Sequence, residues 1–274
     1  EAASLIGYKG TDGKLEEVYY MFDVASPSIY GNNPFVDSWT TLNGISCAGN
    51  TSRTGMDYHP SSSVSVAPDG GLIVAVRNLN TVYSIDNDGS GVRWMLSSSL
   101  WLPDTATYPQ YQFERLADAF YEPHSVIMLG DGQLLLFDDG ESRPGCVSGD
   151  SADDKITTEF AGCFSRAIMY KLNETTMTAH VHWQFEIPTP VEGEDGHGSQ
   201  LNGAHADDAQ WNTVMTHDEL NWAGGSVYRL DSGRFLVGAT STLNGHSVGQ
   251  RDFNANHSMH GFEVDLHAQI RSYI

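Results

Sequence analysis

SSSVSVAPDGGLIVAV (61–76), followed four residues later by TVYSIDNDGSGVRWML (81–96), decides the fold. An apolar strand leads into an Asp/Gly turn and a second apolar strand, and two alternating strands separated by a polar turn follow. The pattern predicts a four-stranded antiparallel meander. It returns in HSVIMLGDGQLLLF (124–137) with RAIMYKLNETTMTAHVHWQFEI (166–187), and again in GSVYRLDSGRFLVGA (225–239) with HGFEVDLHAQIRSYI (260–274). With Val64, Val126 and Val227 taken as equivalent, the copies start 62 and 101 residues apart. A compact propeller repeat is about 40–45 residues long, so the excess lies in loops.

One meander cannot cover both of its own faces, and several packed around an axis solve that problem as a β-propeller. The expected fold class is therefore all-β, a β-propeller of four-stranded antiparallel blades at about 57–97, 122–188 and 223–274. The stretch SLIGYKGTDGKLEEVYYMFDV matches the third-strand, turn, fourth-strand part of the repeat, so residues 1–24 read as half a blade. The whole chain, 1–274, reads as a single propeller domain or a fragment of one, since about three and a half blades fall short of a usual ring. Segments near 25–57, 100–122 and 190–222 are rich in Gly, Pro, Asn and Asp and read as loops.

Charge excludes some partners. The chain has 274 residues, with 14 Lys and Arg against 35 Asp and Glu and a formal net charge of −21. Such a field repels phosphate backbones, so no nucleic acid is expected as a partner. Apolar stretches are short and punctuated, and none nears the about 18 residues of a membrane span.

Cys146 and Cys163 flank the polar segment CVSGDSADDKITTEFAGC, and a disulfide between them would close a surface loop, contributing roughly 3 kcal/mol by restricting the unfolded chain. Cys47 is then left over. N-x-S/T sequons at Asn50, Asn173 and Asn256 fit a secreted or cell-surface glycoprotein. The chain begins at Glu1 without a signal peptide, as expected of a processed chain or a piece of a longer one.

Three further constellations lack their context. Gly245-His246-Ser247-Val248-Gly249 has the spacing of a nucleophile elbow, but loop-like sequence lies where a strand and a helix are needed. The stretch from Glu192 to Glu219 carries Asp195, His197, His205, Asp207, Asp208, His217 and Asp218 without a recognised metal spacing; it reads as a solvated acidic loop, and no metal site is assigned. Asp86-Asn87-Asp88-Gly89 opens like a calcium loop but lacks the closing acidic residue, and reads as a hairpin turn.

A family likeness comes from the residues ahead of and within the first two blades. Asp57-Tyr58-His59, then Arg77-Asn78-Leu79, Tyr83 and Trp94, precede His124, the run Leu134-Leu135-Leu136-Phe137-Asp138-Asp139-Gly140, Arg143 and Ser165-Arg166. This order over residues 57–186 resembles the arylsulfotransferase family, whose propeller implies about six blades. The resemblance implies transfer of a sulfuryl group from an aryl sulfate to a phenolic acceptor through a sulfo-histidine, with no nucleotide or other cofactor. It implies that His59 and His124 bind sulfuryl oxygens or shuttle a proton and that Arg143 clamps those oxygens, with Arg166 as second choice.

The nucleophile implied by the resemblance is a third histidine near Trp222–Tyr228. No histidine lies there, and His217 and His205 are the nearest substitutes. His59 and His124 also admit a structural reading, as strand-start histidines bonded to a neighbouring blade. Trp94 and Trp183 close fourth strands and read as packing between blades. Two functions stay open: an arylsulfotransferase-like enzyme acting on a small aryl sulfate and a phenol, or a non-catalytic extracellular propeller that engages protein partners.

Overall fold

A computed structural model describes residues 5–9, 15–20, 61–86, 91–98, 108–140, 143, 164–187, 224–242 and 258–273. They form fifteen strands and two 3-10 turns, with no α-helix among the described residues, so the all-β expectation holds. Among the described residues no helix is long and apolar enough to cross a membrane.

Strands β1 (Leu5–Lys9) and β2 (Leu15–Tyr20) pair as an antiparallel hairpin. The first meander comprises β3 (Ser61–Val66), β4 (Leu72–Val76), β5 (Thr81–Ile85) and β6 (Val92–Ser97). Next come β7 (Gln110–Phe113) and the second meander, β8 (Pro123–Leu129), β9 (Gln133–Asp138), β10 (Arg166–Asn173) and β11 (Thr178–Glu186). The third meander comprises β12 (Ser226–Arg229), β13 (Phe235–Thr242), β14 (Ser258–Val264) and β15 (Ile270–Tyr273). In each meander, consecutive strands pair antiparallel.

The strand β7 falls in a segment expected to be loop. It pairs parallel with β6 at two positions and with β11 at two more, so the first two meanders join through it into one nine-stranded sheet. Four residues are too few for a periodic signal, which is why composition alone read this stretch as irregular.

The repeat's near-continuous apolar runs follow from burial on both faces. On β9, Leu134 and Leu136 pack with Ile73, Ala75, Val82 and Leu96 of the first meander. Their neighbours Leu135 and Phe137 point the other way and pack with Val227, Val237 and Phe262 of the third. The second meander is thus sandwiched between the other two. Trp183 belongs to the second of these cores: it stacks on Phe235 with ring centroids 4.1 Å apart and donates from Nε1 to the Asp265 carbonyl at 3.1 Å. Trp94 meets Tyr111 edge-on at 5.4 Å.

The first strands of successive meanders are stitched by the serine that precedes the equivalent valine. Val126 N–H donates to Ser63 Oγ at 2.9 Å, and Val227 N–H donates to Ser125 Oγ at 3.1 Å. Ser62 Oγ donates to the Pro123 carbonyl. The two valines that take these serines, Val126 and Val227, are closed off, at 1% and 0% exposed.

Candidate functional site

The polar cluster of interest lies where the first strands start and β9 ends. The run Leu134–Phe137 is apolar because both faces are packed, but the chain then places two carboxylates, Asp138 and Asp139, in the fully buried interior. A buried carboxylate persists only with compensating partners. Each of the two gathers a different set.

Asp138 holds two guanidiniums. Its Oδ2 accepts from Arg143 Nη2 at 2.6 Å and from Arg166 Nε at 2.8 Å, and its Oδ1 accepts Tyr121 N–H at 2.9 Å. Arg166 directs Nη2 to the carbonyls of Asp118 and Ala119 and Nη1 to Gln184 Oε1, so its donors are widely committed. Burial works against its charge, but the Asp138 carboxylate holds the guanidinium above its usual range. Tyr170 donates to the Asp118 carbonyl at 2.6 Å, and its burial raises the phenol well above its ordinary value. Arg143 also lies over the Phe164 ring at 4.0 Å. Its Nε is buried and has no hydrogen-bond partner among the described residues.

Asp139 joins all three meanders. Its Oδ2 lies 3.1 Å from Nε2 of His124 on β8, and 3.9 Å from Nε of Arg77 in the turn after β4. The same oxygen accepts Gly224 N–H, just before β12, at 3.3 Å. Arg77 also pairs with Glu122, whose own N–H donates to Asn80 Oδ1 at 2.6 Å. The His124 side chain keeps 16% exposure while Asp139 is fully enclosed. Their contact is at ion-pair distance, but among the described residues Nε2 has no aligned hydrogen bond.

The backbone around His124 is irregular. Glu122 and Ser125, two residues before and one after, have φ of 54° and 49°, in the left-handed region that non-glycine residues rarely adopt. The β8–β9 register shifts between His124 and Ile127, a bulge of the kind that re-aims a side chain. In the third meander the residue preceding the repeat serine is Gly225, where the second has His124. A Cβ on Gly225 would stand 2.2–2.4 Å from the Phe137 ring, so no side chain fits there while Phe137 keeps its place.

Of the residues singled out from sequence, His124, Arg143 and Arg166 are described, and they meet adjacent carboxylates: His124 at Asp139, both arginines at Asp138. His59 and His217 lie outside the described residues, as do Cys146, Cys163, Asn50, Asn256 and the acidic stretch from Glu192 to Glu219. Asn173 is exposed at the end of β10, and its Oδ1 accepts the N–H groups of Thr175 and Thr176. Sequence reasoning missed Glu122 as a partner of Arg77 and gave Asp139 no role. Two acids in a row after an apolar strand were the available signal. Among the described residues no group of three His, Cys, Asp or Glu could hold a metal ion.

Comparison with known proteins yields one family: the model described as Arylsulfotransferase (ASST) matches residues 13–216. No curated protein matches the chain.

Proposed function

The chain belongs to the arylsulfotransferase family, and from that membership we propose that it transfers a sulfuryl group from an aryl sulfate to a phenolic acceptor through a sulfo-histidine. The observation that carries this reading beyond the family is the placing of His124 against a buried carboxylate at the meeting point of three meanders. The three meanders and the β1–β2 hairpin then act as blades and half a blade of one propeller domain, with first strands lining its axis.

The proposed chemistry has two displacements at sulfur. A histidine nitrogen lone pair forms an N–S bond while the S–O bond to the aryl group breaks, and the aryl oxygen leaves with the bonding pair and takes a proton from His124. A phenol oxygen then attacks sulfur, the N–S bond breaks, and the phenol's proton returns to His124. The resemblance implies a third histidine near Trp222–Tyr228 for the attack; His217 is taken here as its nearest substitute, with His59 binding sulfuryl oxygens. Arg143 serves as the clamp through Nε, because a buried donor with no partner among the described residues suits an incoming oxygen. Arg166, with its donors engaged, supports the clamp by holding Asp138. We place the protein outside the cell, with glycans on Asn50, Asn173 and Asn256 and a Cys146–Cys163 disulfide.

A second reading, a non-catalytic extracellular propeller engaging protein partners, draws on Gly225. The third meander has no side chain where the second has its histidine, and Phe137 fills the space.

One experiment separates the two. The full chain, secreted from eukaryotic cells, is incubated with a chromogenic aryl sulfate and a phenol, and its peptides are weighed with and without deglycosylation. Acceptor-dependent release of the chromogenic phenol is expected, with the mass of one SO3 group on a histidine peptide. No release and no modified peptide would leave only the non-catalytic reading.

A further inference from the structure

We propose that Asp139 is the positioning residue of the site: it fixes Nε2 of His124 as the protonated nitrogen, so that Nδ1 alone exchanges protons with the aryl and phenolic oxygens. The assignment of Nδ1 as the exchanging atom rests on the sulfuryl-transfer reading. The pairing of Nε2 with Asp139 does not.

The argument begins with the two ring nitrogens, which are chemically distinct, since the group bonded to one decides what the other can do. Nε2 of His124 stands 3.1 Å from Asp139 Oδ2. An ionised carboxylate only accepts, so the nitrogen facing it is favoured as N–H whether the ring is charged or neutral. The neutral ring then has its lone pair on Nδ1. In the proposed cycle the imidazolium gives up the Nδ1 proton to the leaving aryl oxygen and becomes the Nε2–H tautomer. It regains the proton at Nδ1 from the acceptor phenol, and the Nε2 proton never leaves. The His124–Asp139 contact is not yet aligned, and such bonds often tighten only once substrate is bound.

A positioning group must itself be fixed, and Asp139 is fixed from three directions. Its own strand carries it in from the second meander, Gly224 N–H reaches it from the third and Arg77 from the first. Arg77 is shared with Glu122, which leads into β8 two residues before His124. The ring is aimed from the other side by the bulge and by the left-handed backbone of Glu122 and Ser125. Strained backbone persists where surrounding structure over-determines it, and it gathers at functional sites.

The partly exposed His180 offers a contrast. Its Nδ1 is 4.0 Å from Glu114, which is itself about half exposed, so water competes for both groups.

The test reads the tautomer directly. Nitrogen-15 NMR of histidine-labelled full-length chain, with His124 assigned through a His124→Gln variant, is recorded where the ring is neutral. An Nε2–H, bare-Nδ1 pattern is expected; an Nδ1–H pattern in the wild-type protein overturns the proposal without any variant having to fold. In Asp139→Asn the amide can turn an N–H towards Nε2, and the neutral ring is expected to switch to Nδ1–H. In the transfer assay the same variant should lose about 10²–10⁴-fold in kcat with little change in KM. Retention of both the wild-type tautomer and kcat in a folded Asp139→Asn variant also overturns it. If wild-type protein gives the Nε2–H pattern but transfers no sulfuryl group, the functional reading fails and the pairing stands.

Discussion

At the scale of single residues the two carboxylates at the end of β9 divide the work. Asp138 pairs with two buried guanidiniums, which fixes Arg143 and Arg166, whereas Asp139 reaches His124. Two acids outside this cluster behave differently. The Gly71 N–H and the Arg93 guanidinium hold the Asp69 carboxyl below its ordinary range. At Asp265 partial burial pushes the carboxyl up, but the N–H groups of Gln269 and His267 and the Arg271 guanidinium outweigh it. A carboxyl whose folded pKa lies below its unfolded value adds stability above the unfolded value and loses it as pH falls through the folded one. Wild type is therefore expected to melt above an Asp69→Asn, Asp265→Asn double variant at pH 7, and the difference should close as pH falls below about 4. Thermal melts across that range check the sign. A gap that widens on acidification would contradict it.

At the scale of elements, the turn-strand-strand repeat was legible because each strand carries its own signal: apolar runs, Asp/Gly turns and a Ser-Val start. Within each meander the strands pair in chain order, across short turns and across the long β9–β10 and β13–β14 connections alike. Strand β7 was not legible, since its parallel partners lie in two different meanders and nothing local specifies them. The strand start at Gly225 was read only as a missing histidine. Its neighbour gives the physical reason, for Phe137 occupies the space a side chain would need. Gly225→Ala is expected to cost about 1–3 kcal/mol by overpacking. Gly91→Ala, whose Cβ meets nothing within 4 Å, should stay within about 0.5 kcal/mol. Urea unfolding of the two variants gives the comparison, and equal costs would mean that Phe137 yields freely.

At the scale of the whole molecule, the meanders are joined by two apolar interfaces and by serine stitches between first strands. Ser125→Ala leaves the buried Val227 N–H without its acceptor, which should cost about 1–3 kcal/mol and speed hydrogen exchange at Val227 far more than within β4. Uniform exchange would mean that the stitch does not hold the third meander. The arylsulfotransferase family was legible in the order of residues from His59 to Arg166, but the partners of those residues were not. The sequence by itself determined the all-β class, the repeating meander and the residue types offered for chemistry, because strand periodicity and turn preference act over a few neighbours. Only the tertiary structure decided that His124 meets Asp139, that both arginines share Asp138, and that Gly225 faces Phe137. Those contacts join residues 5 to 88 positions apart, some between neighbouring strands of the second meander and one, Gly225 with Phe137, across the packed interface with the third.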